Sequence, residues 1–241
     1  RSSEDAAIPA AYKASDASWT GFTVLPMVIV YNGRLLDGEV APRAWSDLPA
    51  ERFRGRIAYA DPSASGSAYT ILRTATTALA GKGGSGSAGE DGAAMARFAR
   101  ALGGRILPES TQVIPSVASG EYLVGLSFEN AAAETLAAGS ELRIVYPADG
   151  TSAVPDGVAL LGGAKRPEAA RRFIDFALGP DVARVLAGRF GRRSARSAAP
   201  PPKGLPALSS LALWSYDIKA AAAGKAEIVA AFRAEFARGA D

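Results

Sequence analysis

Apolar residues along this chain fall in short runs, separated by polar turns rich in Gly and Pro. Phe22–Tyr31, FTVLPMVIVY, predicts a strand. Pro26 interrupts it and cannot donate to a ladder, so it marks an edge or a bend, and Asn32-Gly33 closes the run. Trp45–Phe53 reads as a short helical segment before a strand at Arg56–Ala60. Gly66–Ala80 predicts a helix with Ile71, Leu72 and Leu79 as apolar positions. Gly81–Gly92 has the composition of a flexible loop. Ala93–Leu102 places Met95, Phe98 and Leu102 on one helical face, with Gly103-Gly104 as the stop. Strands are expected at Arg105–Leu107, Tyr122–Phe128, Leu142–Tyr146 and Val158–Leu161, with a turn or short helix from Thr111 and a helix over Ala131–Ala138. Beyond Pro167 the pattern is helical: a broad apolar face from Phe173 to Leu178, a second helix opened by Pro180, and segments at Leu208–Ala222 and Lys225–Arg238. Alternating strands and helices predict an α/β fold with largely parallel sheets.

The densest chemistry lies at Asp61–Thr70, DPSASGSAYT, between a strand and a helix. A helix start leaves N–H groups unpaired and carries the positive end of the dipole. Ser63, Ser65 and Ser67 add hydroxyls, and Gly66 lets a ligand approach the backbone. The turn suits a phosphate, phosphonate or carboxylate. It equally suits a capped helix, with Ser63 or Ser65 accepting from first-turn amides. Thr111, Gln112 and Glu129 also follow predicted strands, the place where open α/β sheets bind ligands, and this favours the site reading.

Composition narrows the chemistry. The 241 residues suffice for one large domain or two lobes, and the contents, 48% hydrophobic and 21% charged, are globular. There is no cysteine and no histidine, so thiol nucleophiles, Ser-His-Asp triads and thiolate or imidazole metal sites are excluded. Carboxylate-assisted catalysis stays open. The net charge is only +3, and the basic cluster Arg189–Arg196 reads as a solvated loop, not a nucleic-acid stripe. No apolar run is long enough to span a bilayer, and residues 1–20 hold no signal-peptide core, so an exported form is already processed. Asp61 and Asp156 sit beside Pro62 and Gly157 and read as turn residues; Trp19, Phe22 and Trp45 read as core or hinge packing.

Several segments, in order, resemble a known family: WTGFTVLPMVIVYN at 19–32, WSDLPAERFRGRIAYADPSASGSAYT at 45–70, the long stretch 119–187 beginning SGEYLVGLSFEN, and more loosely Asp217 with EIVAAFRAEF. They resemble bacterial periplasmic solute-binding proteins of ABC importers, in the group that includes ferric-iron, phosphonate and sugar-phosphate receptors. The resemblance implies a type II periplasmic-binding-protein-like fold with two lobes and a hinge. Residues 1–33 would form the end of the first lobe and a hinge strand, 34–146 the second lobe, and 147–241 the return hinge and helices packing on the first lobe. Family members carry roughly a domain's worth more chain, about a hundred residues, before this start, so the first lobe is expected to be incomplete.

The implied function is binding without chemistry. A small anionic solute would be held by Ser63, Ser65, Gly66, Ser67, Thr111, Gln112, Glu129, Gly150 and Thr151. It would be delivered by a periplasmic monomer to an inner-membrane permease, with no cofactor, resident metal or nucleic acid involved. Iron receptors of the group carry paired tyrosines where this chain has Glu129-Asn130-Ala131. That departure moves the expected ligand from ferric iron towards a phosphorylated or phosphonate solute. Iron binding, an enzymatic role and a sensory role on the same fold remain the alternatives.

Overall fold

The computed structural model describes residues 1–81 and 92–239; the loop expected at Gly81–Gly92 lies almost wholly outside them. Strands β1 (Thr20–Asn32), β2 (Ile57–Ala58), β3 (Val124–Phe128), β4 (Leu142–Val145), β5 (Thr151–Val158), β6 (Arg193–Ser194) and β7 (Leu213–Trp214) alternate with helices. The helices are α1 (Gly66–Leu79), α2 (Gly92–Ala101), α3 (Val113–Ala118), α4 (Glu129–Ala137), α5 (Pro167–Leu178), α6 (Pro180–Phe190), α7 (Ile218–Ala223) and α8 (Lys225–Arg238). The strands join in one sheet, ordered β2-β3-β1-β5-β7, with β4 and β6 also pairing β1.

This sheet is mixed, which corrects the expectation of largely parallel pairing. β1 runs antiparallel to β3, β4 and β6, while β2 with β3 and β5 with β7 are parallel. The long apolar run of β1 has enough length to serve two sets of partners. Thr23 and Val24 pair β6, and Met27–Tyr31 pair β3. Pro26 falls between these pairings.

The chain divides into two compact units. One is built from Arg1–Leu25 and Ala153–Leu211, the other from Pro26–Ser152 and Ala212–Asp241. Pro26 thus opens the second unit. The C-terminal helices differ from expectation: α7 and α8 belong to this second unit. Phe232 of α8 is fully buried and packs edge-on against Tyr59, with ring centroids 6.0 Å apart. Tyr59 in turn meets Phe98 of α2 at 5.2 Å. This aromatic cluster, with Trp45, Phe53, Met95 and Leu72, forms the unit's core.

Three expected elements differ. Arg105–Leu107 is not a strand; Leu107 makes a single parallel bridge to Ala60. The strand expected at Val158–Leu161 lies earlier, over Thr151–Val158, and Leu161 is 78% exposed. Leu208–Ala222 is broken into a 3-10 turn at Leu208–Ser210, β7 and α7.

In the first unit the basic cluster is an ion-paired network, not a solvated loop. Arg192 meets Asp156 at 2.6 Å, Arg193 donates to the Pro206 carbonyl at 2.7 Å, and Arg196 bridges Glu4 and the Leu178 carbonyl. Asp156 is a strand residue here, not a turn: it lies within β5 and also accepts from the Thr23 hydroxyl. Burying those guanidinium groups beside partners holds the segment against β1. The apolar face of α5 stays open, with Phe173 and Phe176 62% and 64% exposed.

Candidate functional site

The second unit contains every residue the sequence singled out as ligand-binding. Its parallel strands fix where they emerge. Ile57 and Ala58 of β2 register with Val124 and Gly125 of β3, and Leu107 bridges Ala60 in the same sense. The chain therefore leaves all three at one end of the sheet, through Asp61–Ser67, Glu109–Gln112 and Glu129-Asn130. This carboxyl end is where an open α/β sheet leaves room for a ligand.

α1 is held firmly at its start. Tyr59, fully buried, donates its hydroxyl to the Ala68 carbonyl at 2.8 Å. Burial, and then the charge of Asp61, push that phenol well above its ordinary range, so it stays a donor. The Asp61 carboxylate accepts from the Ser63 amide at 2.8 Å and the Ser63 hydroxyl at 2.7 Å, and Arg233 of α8 lies 3.6 Å away. Burial pulls the Asp61 pKa upwards, but the Ser63 hydrogen bonds and Arg233 outweigh it, and the carboxyl titrates below its ordinary 3.8. Arg233 also donates to the Ser63 hydroxyl at 2.7 Å. Ser63 is thereby engaged on both sides, and its place is in the scaffold of the turn.

Ser65 is the N-cap: its hydroxyl accepts from the Ala68 amide at 3.2 Å. Its carbonyl takes the Tyr69 amide. The Gly66 and Ser67 amides have no acceptor among the described residues. The Ser67 hydroxyl lies 3.0 Å from that of Ser65. A Cβ built on Gly66 would meet nothing within 4 Å, so the turn faces open space. The cap and cradle readings coexist: one hydroxyl caps the helix, while the Gly66 and Ser67 amides have no acceptor among the described residues and the Ser67 hydroxyl lies beside them.

The remaining residues divide. Thr111 and Gln112 are exposed on a 3-10 turn, Thr111 bonding Glu109 at 3.2 Å. Glu129 is only 1% exposed and accepts from the Tyr146 hydroxyl at 2.5 Å. It is neither a surface carboxylate nor an open acceptor, because α4 starts directly from β3 with no intervening loop. Asn130 beside it was missed; it is buried, and its side-chain oxygen lacks a donor among the described residues. A polar pair closing an apolar strand was the signal for it. Gly150 has φ +90 and its absent Cβ would fall 2.2 Å from the Trp214 indole nitrogen. Thr151, 2% exposed, donates to the Met27 carbonyl at 2.8 Å. Both are packing residues at the start of β5. The first unit carries a separate cavity of about 470 Å³, with Trp19, Arg171, Arg172 and Asp175 in its wall; it contains none of these residues.

The sequence profile of the bacterial extracellular solute-binding protein family matches residues 2–214. The chain belongs to that family. An uncharacterised protein of Haemophilus influenzae is 30% identical over 57% of this solute-binding chain and 37% of its own length. A probable ABC transporter periplasmic-binding protein of Sinorhizobium fredii is 24% identical over 77% of the chain and 51% of its own. The chain thus spans about a third to a half of the curated relatives it matches. The structure of the periplasmic binding protein AfuA from Actinobacillus pleuropneumoniae, with fructose-6-phosphate bound, superposes with a TM-score of 0.80. That match has 23% identity and covers 98% of this chain and 75% of the other. It shows the fold, that of type II periplasmic binding proteins.

Proposed function

We propose that this solute-binding protein takes a small anionic solute, of the phosphonate or sugar-phosphate class, through the first turn of α1. It would work in the periplasm as a monomer and pass the solute to an inner-membrane ABC permease, without chemistry. The observation that carries this reading is the pair of free amides at Gly66 and Ser67, flanked by the Ser67 hydroxyl and facing open space. Three convergent donors at a helix N-terminus match the oxygens of a tetrahedral anion. Asn130, at the same sheet end and with an unpartnered acceptor, suits a hydroxyl on the body of the solute. Exposed Thr111 and Gln112 are the further polar groups there. The sugar phosphate carried by the similar AfuA supports the class. Where iron receptors of the group have a tyrosine pair, this chain has Glu129-Asn130-Ala131, which favours an anion over ferric iron.

Calorimetric titration of phosphonates, sugar phosphates and inorganic phosphate into the wild type and a Ser65→Ala/Ser67→Ala variant tests the assignment. The variant is expected to bind about tenfold or more weakly, from loss of charge-assisted hydrogen bonds. Equal affinity for every anion that binds would refute it. Product formation from any of these solutes would instead support the enzymatic alternative.

A further inference from the structure

Two turns beyond the cap, α1 carries a second feature that the cap site does not use. Arg73 is 7% exposed and forms no ion pair among the described residues. Its Nε is buried without an acceptor. The hydrogen bond its guanidinium makes is long, 3.5 Å from Nη1 to the Tyr69 hydroxyl. The guanidinium also lies 5.6 Å from the centroid of the Tyr216 ring. A cation taken out of water needs a partner of opposite charge or a full set of acceptors, and a ring face alone compensates little of that loss.

The surroundings are positive and hydroxyl-rich. Gly66, Tyr69, Thr70 and Arg73 share one helical face at i, i+3, i+4 and i+7, and side chains lean back towards the N-terminus, which brings the guanidinium beside Tyr69. Tyr69 is fixed by donating to the Ala221 carbonyl at 2.7 Å. Lys225 of α8 places its ammonium 5.6 Å from the Tyr69 ring centroid and also makes no ion pair with a carboxylate among the described residues. Thr70 donates its hydroxyl to the Gly66 carbonyl at 3.1 Å, and Thr74 bonds Ser152 of β5 at 2.9 Å. Tyr216 and Lys225, both half-buried, flank this face of α1 through the Tyr216 contact with Arg73 and the Lys225 contact with Tyr69.

From this juxtaposition we infer a second anion-binding point, at Arg73 with Tyr69, Tyr216 and Lys225, that takes the oxyanion of a carboxylate- or phosphate-bearing small molecule. The planar fork of a guanidinium, with its Nε donor unused, matches two oxygens of either group. The aromatic walls suit an organic body attached to it. This point does not rest on the amides at the start of α1.

The test follows the Nε–H resonance of Arg73 by nitrogen-edited NMR on the wild-type chain, titrated separately with inorganic phosphate and with malonate at low salt. Saturable movement is expected with at least one anion, and which one responds tells phosphate from carboxylate. The Lys225→Gln variant should weaken that response about three- to tenfold, and Arg73→Lys should weaken anion binding at this point about tenfold or more. Ser65→Ala/Ser67→Ala should leave the Arg73 response unchanged. A resonance flat with both anions, or one insensitive to Lys225→Gln, would overturn the inference. Loss of the response in the double serine variant would overturn its independence from the cap site. The decisive readouts come from the wild type and the Lys225→Gln variant, so the test holds even where Arg73→Lys fails to fold.

Discussion

Helices α1 and α4 begin at the same end of one sheet, after neighbouring parallel strands, yet they begin in opposite ways. α1 follows β2 through a hydroxyl-rich turn that spends one side chain on capping and leaves the Gly66 and Ser67 amides free. α4 follows β3 without a loop, so its first residue, Glu129, is buried and tied to Tyr146. The turn before α1 is braced from outside by Asp61, Ser63 and Arg233, and from beneath by Tyr59. A free donor pair survives folding only where other groups hold the backbone in place. The start of α4 is instead tied through its own carboxylate to Tyr146.

The largest effect should come from removing the brace beneath α1. Phe232→Ala leaves a cavity against Tyr59 and Phe98 and should cost about 3–5 kcal/mol in denaturant unfolding, with anion binding weakened through a loosened turn. Next is Glu129→Ala at the start of α4. It removes the carboxylate that accepts from the Tyr146 hydroxyl and should cost about 1–3 kcal/mol, while affinity for inorganic phosphate stays at the wild-type value by calorimetry. Ser65→Ala at α1 should lose about 1 kcal/mol of cap energy and also lose anion affinity, separating the two helix starts by function.

A pH titration sharpens the role of the outer brace. Asp61 has a folded-state pKa lowered below its ordinary value, so its stabilisation is present above that value and disappears as pH falls through the lower one. Unfolding midpoints followed downward from about pH 5 should show this loss, and Asp61→Asn should remove that part of the pH dependence. The smallest stability effect is expected at Gly66. With open space around it, Gly66→Ala should change stability by no more than about 0.5 kcal/mol while weakening binding through steric exclusion of the anion. Affinity unchanged in that variant would place the anion away from the backbone of α1.

The sequence made local structure legible where the pattern was self-contained. The α1 and α2 boundaries followed from the glycines at their ends and from the spacing of Met95, Phe98 and Leu102, and DPSASGSAYT revealed its turn by composition alone. What it hid depended on distant partners. That Ser63 is consumed by Arg233, 170 residues away, is a tertiary fact. So is the burial of Glu129 by Tyr146. The ion pair of Asp156 with Arg192 converted both an apparent turn and an apparent solvated cluster into packed structure. Thr151–Val158 looked like a loop because Pro155 and Gly157 punctuate it, yet pairing with β7 from far along the chain makes its first residues a strand. Arg73 sat within a helical pattern where nothing local announced that its charge would be buried.

The central claim is that the free amides of α1, and not the start of α4, receive the anion. Backbone amide NMR during titration with inorganic phosphate tests it most directly, because that ligand has no organic body to reach elsewhere. Saturable downfield movement of the Gly66 and Ser67 amides is expected, with those of Glu129 and Asn130 unmoved. Stationary Gly66 and Ser67 amides under saturating phosphate, or movement confined to α4, would contradict it.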